Sequence, residues 1–396
     1  LEEEHSTRGR ANALRAVLSG KVPKEEFTGK RLHEVMDLCL ECKACKAECP
    51  SNVDMAKLKY EFLDHYHRAN GLPLRNRMFG GIERLNRIGS QFAPISNWIA
   101  GSGLNRWLME KLAGIDRRRP LPRFADVTFE DWFGAHRVEG DGAKGQVVLF
   151  HDTFNNFNTP NVAIAATRLL ERLGYHVLLV DKRCCGRPMI SKGMLGEAKN
   201  NAAWNVDQLF VHVEKGVPVI GLEPSCLLTL RDEYPEFLRT NEARRVAENS
   251  FLLEEFLSKE KQAGKISLNL AAGGRKALLH GHCHQKALVG TASTVALLKS
   301  AGFDVSEVDS GCCGMAGSFG FEKEHYDLSL TIGNRRLAPA VKAASGDVEI
   351  VAPGISCRQQ IEHLTARKAK HPAEVLWERI EGALPGSVGG GSRSHG

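Results

Sequence analysis

Long apolar runs are missing from this sequence. Nothing in it approaches the ~20 consecutive apolar residues that a membrane-spanning helix needs. A signal-type start is missing too: Leu1-Glu2-Glu3-Glu4-His5 is acidic and no apolar core follows it. Position 1 is not Met, which leads to the expectation of a fragment, a processed product or an expressed piece of something longer. Neither sign of charge is in excess, with 53 Lys+Arg against 47 Asp+Glu and a net charge of +6. Hydrophobic residues make up 42% and charged residues 25%, which excludes a wholly disordered or collagen-like chain. No phosphate-binding P-loop, Ser/His/Asp arrangement or nucleic-acid module stands out, so no nucleic-acid partner is expected. Gly140-Asp141-Gly142-Ala143-Lys144-Gly145 fits G-x-G-x-x-G, but it precedes a strand, whereas a dinucleotide loop follows one.

Cysteine, in contrast, is plentiful and clustered. There are 11, and Cys39, Cys42, Cys45 and Cys49 fall together, while Cys184-Cys185 and Cys312-Cys313 are adjacent pairs. A secreted disulfide framework does not pair neighbours in this way. Metal or redox chemistry in a reducing compartment does, and the expected location is cytoplasmic.

At 396 residues, two or three domains are expected. Residues 1–70 read as helical. Thr28 is placed to cap a helix delivering Cys39, and Pro50 to open the next one, through Met55, Phe62 and Tyr66. Residues 71–145 form a basic, aromatic-rich helical connector. Residues 68–123 carry 11 Lys+Arg and 3 Asp+Glu. The expectation is an apolar face packed on the domains and a solvated basic face. The alternative is a docking surface for an acidic partner or an anionic membrane.

From residue 146 strands and helices alternate, and the pattern then repeats. Leu169 to Tyr175 matches Leu297 to Phe303, and Cys184-Cys185-Gly186 matches Cys312-Cys313-Gly314, both 128 residues apart. Pro224-Ser225-Cys226 matches Ile355-Ser356-Cys357. Two tandem α/β domains with small, mainly parallel sheets follow, over 146–270 and 271–384, with a flexible Gly/Ser-rich tail over 385–396.

The spacing Cys39-x2-Cys42-x2-Cys45-x3-Cys49-Pro50 is that of a bacterial [4Fe–4S] run. Zinc prefers ligands from well-separated knuckles. In a two-cluster module the fourth Cys serves the other cluster, and the sequence holds no second run. That run lies upstream, or one cluster takes all four thiols, or the cluster is incomplete; the upstream segment is the expectation.

In the second repeat, Cys283, Cys312, Cys313 and Cys357 all follow strands, so they converge on one sheet edge and suit a further cluster. In the first repeat Cys184, Cys185 and Cys226 remain, and Asp152 or Thr153 takes the place of Cys283. Three thiols with Asp152 could hold zinc, or the site is a relic that only packs. His280, His282 and His284 surround Cys283; as alternate residues of an extended segment they would share a face, as ligands, proton donors or structural residues.

These stretches resemble the cysteine-rich "CCG" domains of heterodisulfide reductase B subunits, anaerobic glycerol-3-phosphate dehydrogenase C subunits and glycolate oxidase iron–sulfur subunits. Glu3 to Arg10, Cys39 through Pro50, Asn52 to Met55, Cys184 to Pro188, Glu223 to Cys226, Gly281 to Lys286 and Ser356 to Gln360 resemble the C-terminal half of fused FAD-binding and iron–sulfur dehydrogenases of the D-lactate and D-2-hydroxyglutarate type. The resemblance implies an electron-transfer module. A flavin domain or subunit, carrying FAD outside this chain, oxidises a D-2-hydroxy acid, and electrons leave toward a quinone or cytochrome. The full CCG pattern ends Cys-x-x-Cys, but Thr229 and Gln360 stand at its last position here. The five-cysteine set of heterodisulfide reductases is thus absent, and disulfide-cleaving chemistry is a lesser alternative, as is a zinc-stabilised assembly subunit.

Overall fold

The computed structural model describes residues 2–268 and 274–381; the expected tail lies outside the described residues. Helices Thr7–Leu18, Lys30–Asp37, Ala44–Glu48 and Met55–Asn70 form the N-terminal module. Leu14, Val17, Leu32, Met36, Met55 and Phe62 are its core. Ser6 caps the first helix by accepting from the Gly9 N–H at 3.0 Å.

Two expected helix starts move. Gly29, not Thr28, is the N-cap of Lys30–Asp37, because Thr28 belongs to a short 3-10 turn and its hydroxyl donates to the Glu25 carbonyl. Pro50 opens no helix. Asn52 adopts a left-handed φ of 54°, and the next helix begins at Met55, capped by Asp54 through the Lys57 N–H.

The connector is helical, as Leu74–Gly80, Ile82–Gln91, Ala93–Gly101, Gly103–Ala113 and Phe129–Ala135. Its apolar residues point inward only in part: Met78, Phe79, Met109, Ile115 and Leu121 pack against the second repeat as expected, but others do not. Ile88, Phe92, Ile95, Trp98, Leu104 and Leu112 are all exposed, Trp98 at 73%. Along Ile82–Gln91 and the start of the next helix, small residues are the buried ones, Gly89, Ser90 and Ala93. Gly89 leaves room there for the Phe124 ring, which a Cβ at 2.5 Å would displace.

The two repeats follow. In the first, β1 (Gln146–Phe150), β2 (His176–Leu178), β3 (Val219–Gly221) and β4 (Ser250–Leu252) make a parallel sheet of order β2-β1-β3-β4. In the second, β5 (Arg275–Leu279), β6 (Phe303–Glu307) and β7 (Glu349–Val351) run parallel in the order β6-β5-β7. The shared order confirms the internal repeat; β4, three residues long, has no periodic signal in the sequence. Val147, Val148 and Leu149 are wholly buried, as a central parallel strand covered on both faces requires. One apolar core joins Leu149, Leu169 and Leu253 of the first repeat to Leu279, Leu298 and Leu376 of the second. The G-x-G-x-x-G loop precedes β1, as expected.

Candidate metal centres

The loop after Lys30–Asp37 carries Cys39 and Cys42, the helix Ala44–Glu48 carries Cys45, and Cys49 is that helix's C-cap. Glu41 (φ 52°) and Lys43 (φ 62°), which flank Cys42, are both left-handed. Such conformations cost about 1–3 kcal/mol each. Their effect is to turn backbone N–H groups toward sulfur. Glu41 donates to Cys39, Ala44 to Cys42, and Met55 to Cys45 Sγ at 3.3 Å. Burial, and next the neighbouring Cys283, push the Cys42 thiol up to about 12. A thiol so buried gives up its proton to a metal rather than to water.

The same loop is clamped by charge. Lys43, 1% exposed, is ion-paired with Asp232 and Glu233 of the first repeat, and Lys46 joins Asp232. Arg187 reaches Glu233 at 3.0 Å. The cations, after burial is overcome, hold Asp232 well below the usual carboxylate range. None of these acid and base positions had a local signal in the sequence, because the partners of Lys43 and Lys46 lie 186 to 190 residues away and that of Arg187 lies 46 away.

In the second repeat, Cys283 is the first residue of the helix Cys283–Leu288, Cys312-Cys313 follows β6, and Cys357 lies in the first turn of Ile355–Thr365. Their side chains form a continuous series of contacts, Cys283 with Cys312, Cys312 with Cys313, and Cys313 with Cys357. Gly314, at φ 94°, lets its N–H reach Cys312 Sγ at 3.3 Å, and a Cβ there would lie 2.3 Å from the Ser329 carbonyl. Soft, closely packed sulfurs with N–H donors around them suit iron–sulfur ligation.

The three histidines do not share a face, because the chain turns helical at Cys283. His280 follows β5 directly, with Nδ1 2.8 Å from Ser310 Oγ. His282 is the N-cap, its Nδ1 accepting from the His284 N–H at 3.2 Å. His284 lies in the helix and its Nε2 donates to the Glu41 carbonyl at 2.8 Å. Burial first, then Lys286, pushes His280 down to about 3 and His282 to about 4, so both are neutral.

The first repeat is built alike but differs at one donor. Cys184 contacts Cys185, and Cys185 contacts Cys226. Asp152 occupies the cap position of His282, and Thr153, as first helical residue, occupies that of Cys283. Asp152 is engaged as a cap: it accepts from the N–H groups of Phe154 and Asn155 and from the Asn155 side chain at 2.6 Å. It is therefore not the free fourth ligand that a zinc site requires. Tyr234 and Asn205 pin the Cys184–Cys185 backbone, at 3.0 Å to the Cys185 carbonyl and 3.5 Å to that of Cys184.

Between the modules lies a cavity of about 210 Å³, walled by Phe79, Ile82, Leu121 and Phe319, with Cys39, Cys226 and Cys283 also on its lining. At one side His325 bonds to Asp37 at 2.8 Å and to Glu322 at 2.9 Å, and its ring stacks on Phe319 at 4.1 Å. Burial opposes the charge on His325, but Asp37 and Glu322 outweigh it and raise its pKa to about 9.

Residues 2–54 match the 4Fe-4S dicluster domain, and 148–231 and 279–362 each match the cysteine-rich domain. The anaerobic glycerol-3-phosphate dehydrogenase C subunit of Escherichia coli is 32% identical over 310 residues, 78% of this chain and 77% of that protein. The chain belongs to this family of dehydrogenase iron–sulfur proteins. Other relatives in the family include the D-2-hydroxyglutarate dehydrogenase of Pseudomonas putida, 29% identical over 89% of this chain, of which the match spans 35%. The glycolate oxidase iron-sulfur protein of Escherichia coli is 24% identical over 96% of this chain and 89% of its own length. Both family domains coincide with the observed helical module and the two parallel sheets.

Proposed function

We propose that this chain takes electrons from the FAD of a D-2-hydroxyacid dehydrogenase domain or subunit, acting on D-lactate, glycolate or D-2-hydroxyglutarate, and delivers them to a quinone. Cys39, Cys42 and Cys45, with Cys49 or a thiol from an upstream run, hold a [4Fe–4S] cluster, and Cys283, Cys312, Cys313 and Cys357 hold a second centre. Bound clusters supply one-electron carriers at sites whose thiols are otherwise protonated. The chain itself contributes burial, N–H donors to sulfur and fixed distances between the two sets of ligands.

The observation that carries this reading is the juncture of the two cysteine loops. Cys283 is the neighbouring thiol with the largest effect on Cys42, and the residue after Cys283 is bonded to the residue before Cys42. Two redox centres placed on this juncture exchange electrons without an intermediary. A quinone is favoured over a cytochrome because the lining of the cavity beside Cys39 and Cys283 combines aromatic rings with the His325 group. Three thiols without a free fourth donor leave the first repeat as a packing element; Lys43 docks on it through Asp232 and Glu233, and Arg187 of the same repeat also holds Glu233.

The connector supplies the membrane contact. Among the described residues no helix is long and apolar enough to cross a bilayer. Trp98, Trp107, Ile95 and Leu104 are nevertheless exposed on adjoining helices, with exposed Arg84, Arg87 and Lys111 on the same connector. Exposed apolar and aromatic side chains with basic neighbours are the composition of an interfacial surface on anionic lipid.

Anaerobic purification tests the central reading. Iron and acid-labile sulfide are expected, with paramagnetic signals after dithionite that fall separately in Cys42→Ala and Cys283→Ala. Protein without iron overturns it. Zinc alone would favour an assembly role, and a spectrum altered by added disulfide would favour a thiol reductase.

A further inference from the structure

We propose that the second cysteine-rich site is a mixed centre, in which Nε2 of His280 ligates iron alongside the thiolates of Cys283, Cys312, Cys313 and Cys357. The inference rests on the iron–sulfur reading of that site given above and adds a donor of a different class.

His280 is 1% exposed and lies just past the end of β5. A ring nitrogen of His280 and the sulfurs of Cys313 and Cys357 lie within 4.8 Å of one another. Nδ1 is occupied by Ser310 Oγ at 2.8 Å, whereas Nε2 is buried with no hydrogen-bond partner. A buried polar nitrogen is ordinarily paired, so an orphan beside thiols points to a ligand. The Ser310 contact is the kind that orients a metal-bound imidazole: Nδ1 keeps its proton and donates it outward, leaving the Nε2 lone pair for the metal. One Fe–N bond forms and no proton is released.

The first repeat provides an internal control. His151 follows β1 as His280 follows β5, but its Nε2 is 2.9 Å from Glu130 Oε1 and is not available. The sequestered histidine thus sits in the repeat where Thr153 has replaced a cysteine, and the free one in the repeat that keeps all four thiols. Gln360, at the place of the family's last cysteine, cannot supply the fifth donor. Its oxygen accepts from Arg119 at 2.7 Å and its nitrogen donates to the Ser329 carbonyl at 3.0 Å.

The test uses the full chain, reconstituted anaerobically and reduced with dithionite, in a Cys42→Ala background that isolates the second centre. Pulsed paramagnetic resonance on protein with natural-abundance and 15N-labelled histidine is expected to show a directly bonded nitrogen. The coupling should change with the isotope, vanish in His280→Cys and persist in His151→Ala. His280→Cys keeps a donor and therefore its iron, and its midpoint potential should shift downward, since imidazole in place of thiolate raises the potential of such centres. A second-centre signal with no strongly coupled nitrogen overturns the assignment of His280 and leaves the iron–sulfur reading intact. Loss of every second-centre signal in an iron-replete chain overturns both.

Discussion

His284 Nε2 lies 2.8 Å from the carbonyl oxygen of Glu41, so the residue after Cys283 holds the backbone between Cys39 and Cys42. Burial keeps this imidazole far below its usual pKa, and it bonds as a neutral donor. His284→Ala should cost about 1–3 kcal/mol, because the Glu41 carbonyl is left buried and unpaired. Denaturant unfolding measures that cost. Freeze-quenched electron redistribution between the two centres should slow in the same variant, and an unchanged rate would sink the role of this contact in coupling them.

Lys43 anchors the cysteine loop to the first repeat through Asp232 and Glu233. Lys43→Met should destabilise the protein by roughly 3–5 kcal/mol, as breaking a buried pair leaves uncompensated charge. Adding Glu233→Gln should recover part of the loss. A single variant as stable as the parent in urea would refute the clamp.

The group around His325 gives stability a pH signature. With a folded pKa raised to about 9 against an unfolded value of about 6.5, the charge on His325 contributes fully below pH ~6.5. That contribution, on the order of 2–3 kcal/mol, is lost as pH rises from there through about 9. His371 acts in the opposite sense: burial, then Arg358, pushes it down to about 3, so it opposes folding increasingly as pH falls below ~6.5. Urea midpoints of the parent and His325→Gln should therefore differ most near pH ~6 and converge above pH ~9.

Thr153→Cys should rebuild in the first repeat the four-thiol set of the second, without its free histidine. The expected outcome is additional bound metal per chain by elemental analysis, whereas Asp152→Asn should leave metal content unchanged and keep the helix cap, losing only the Asn155 side-chain bond. Metal lost on Asp152→Asn would restore the zinc reading.

Trp98 is 73% exposed, so Trp98→Ser should alter stability by no more than about 0.5 kcal/mol. Binding to phosphatidylglycerol vesicles should weaken about tenfold or more, at the ~1.5–3 kcal/mol that burying a large apolar side chain contributes. Equal sedimentation of parent and variant with these vesicles would remove the membrane contact.

Much of this protein was legible in the chain itself. The Cys39 to Cys49 spacing is local, the helical period needs only neighbouring residues, and the repeat aligns Cys184 with Cys312 at one offset. Such features depend on covalent neighbours, so the linear order suffices. What the order could not decide depended on distant partners. Which of the connector's apolar residues point in, as Phe79 and Leu121 do, and which point out, as Ile95 and Trp98 do, turned on packing against the distant second repeat. The division of labour among His280, His282 and His284 was settled by a helix beginning at Cys283 and by a carbonyl that precedes it by more than two hundred residues. The choice between Asp152 and Thr153 followed from which of them caps a helix. A side chain's chemistry is set by its type, but its role is set by which atoms the fold brings within bonding distance.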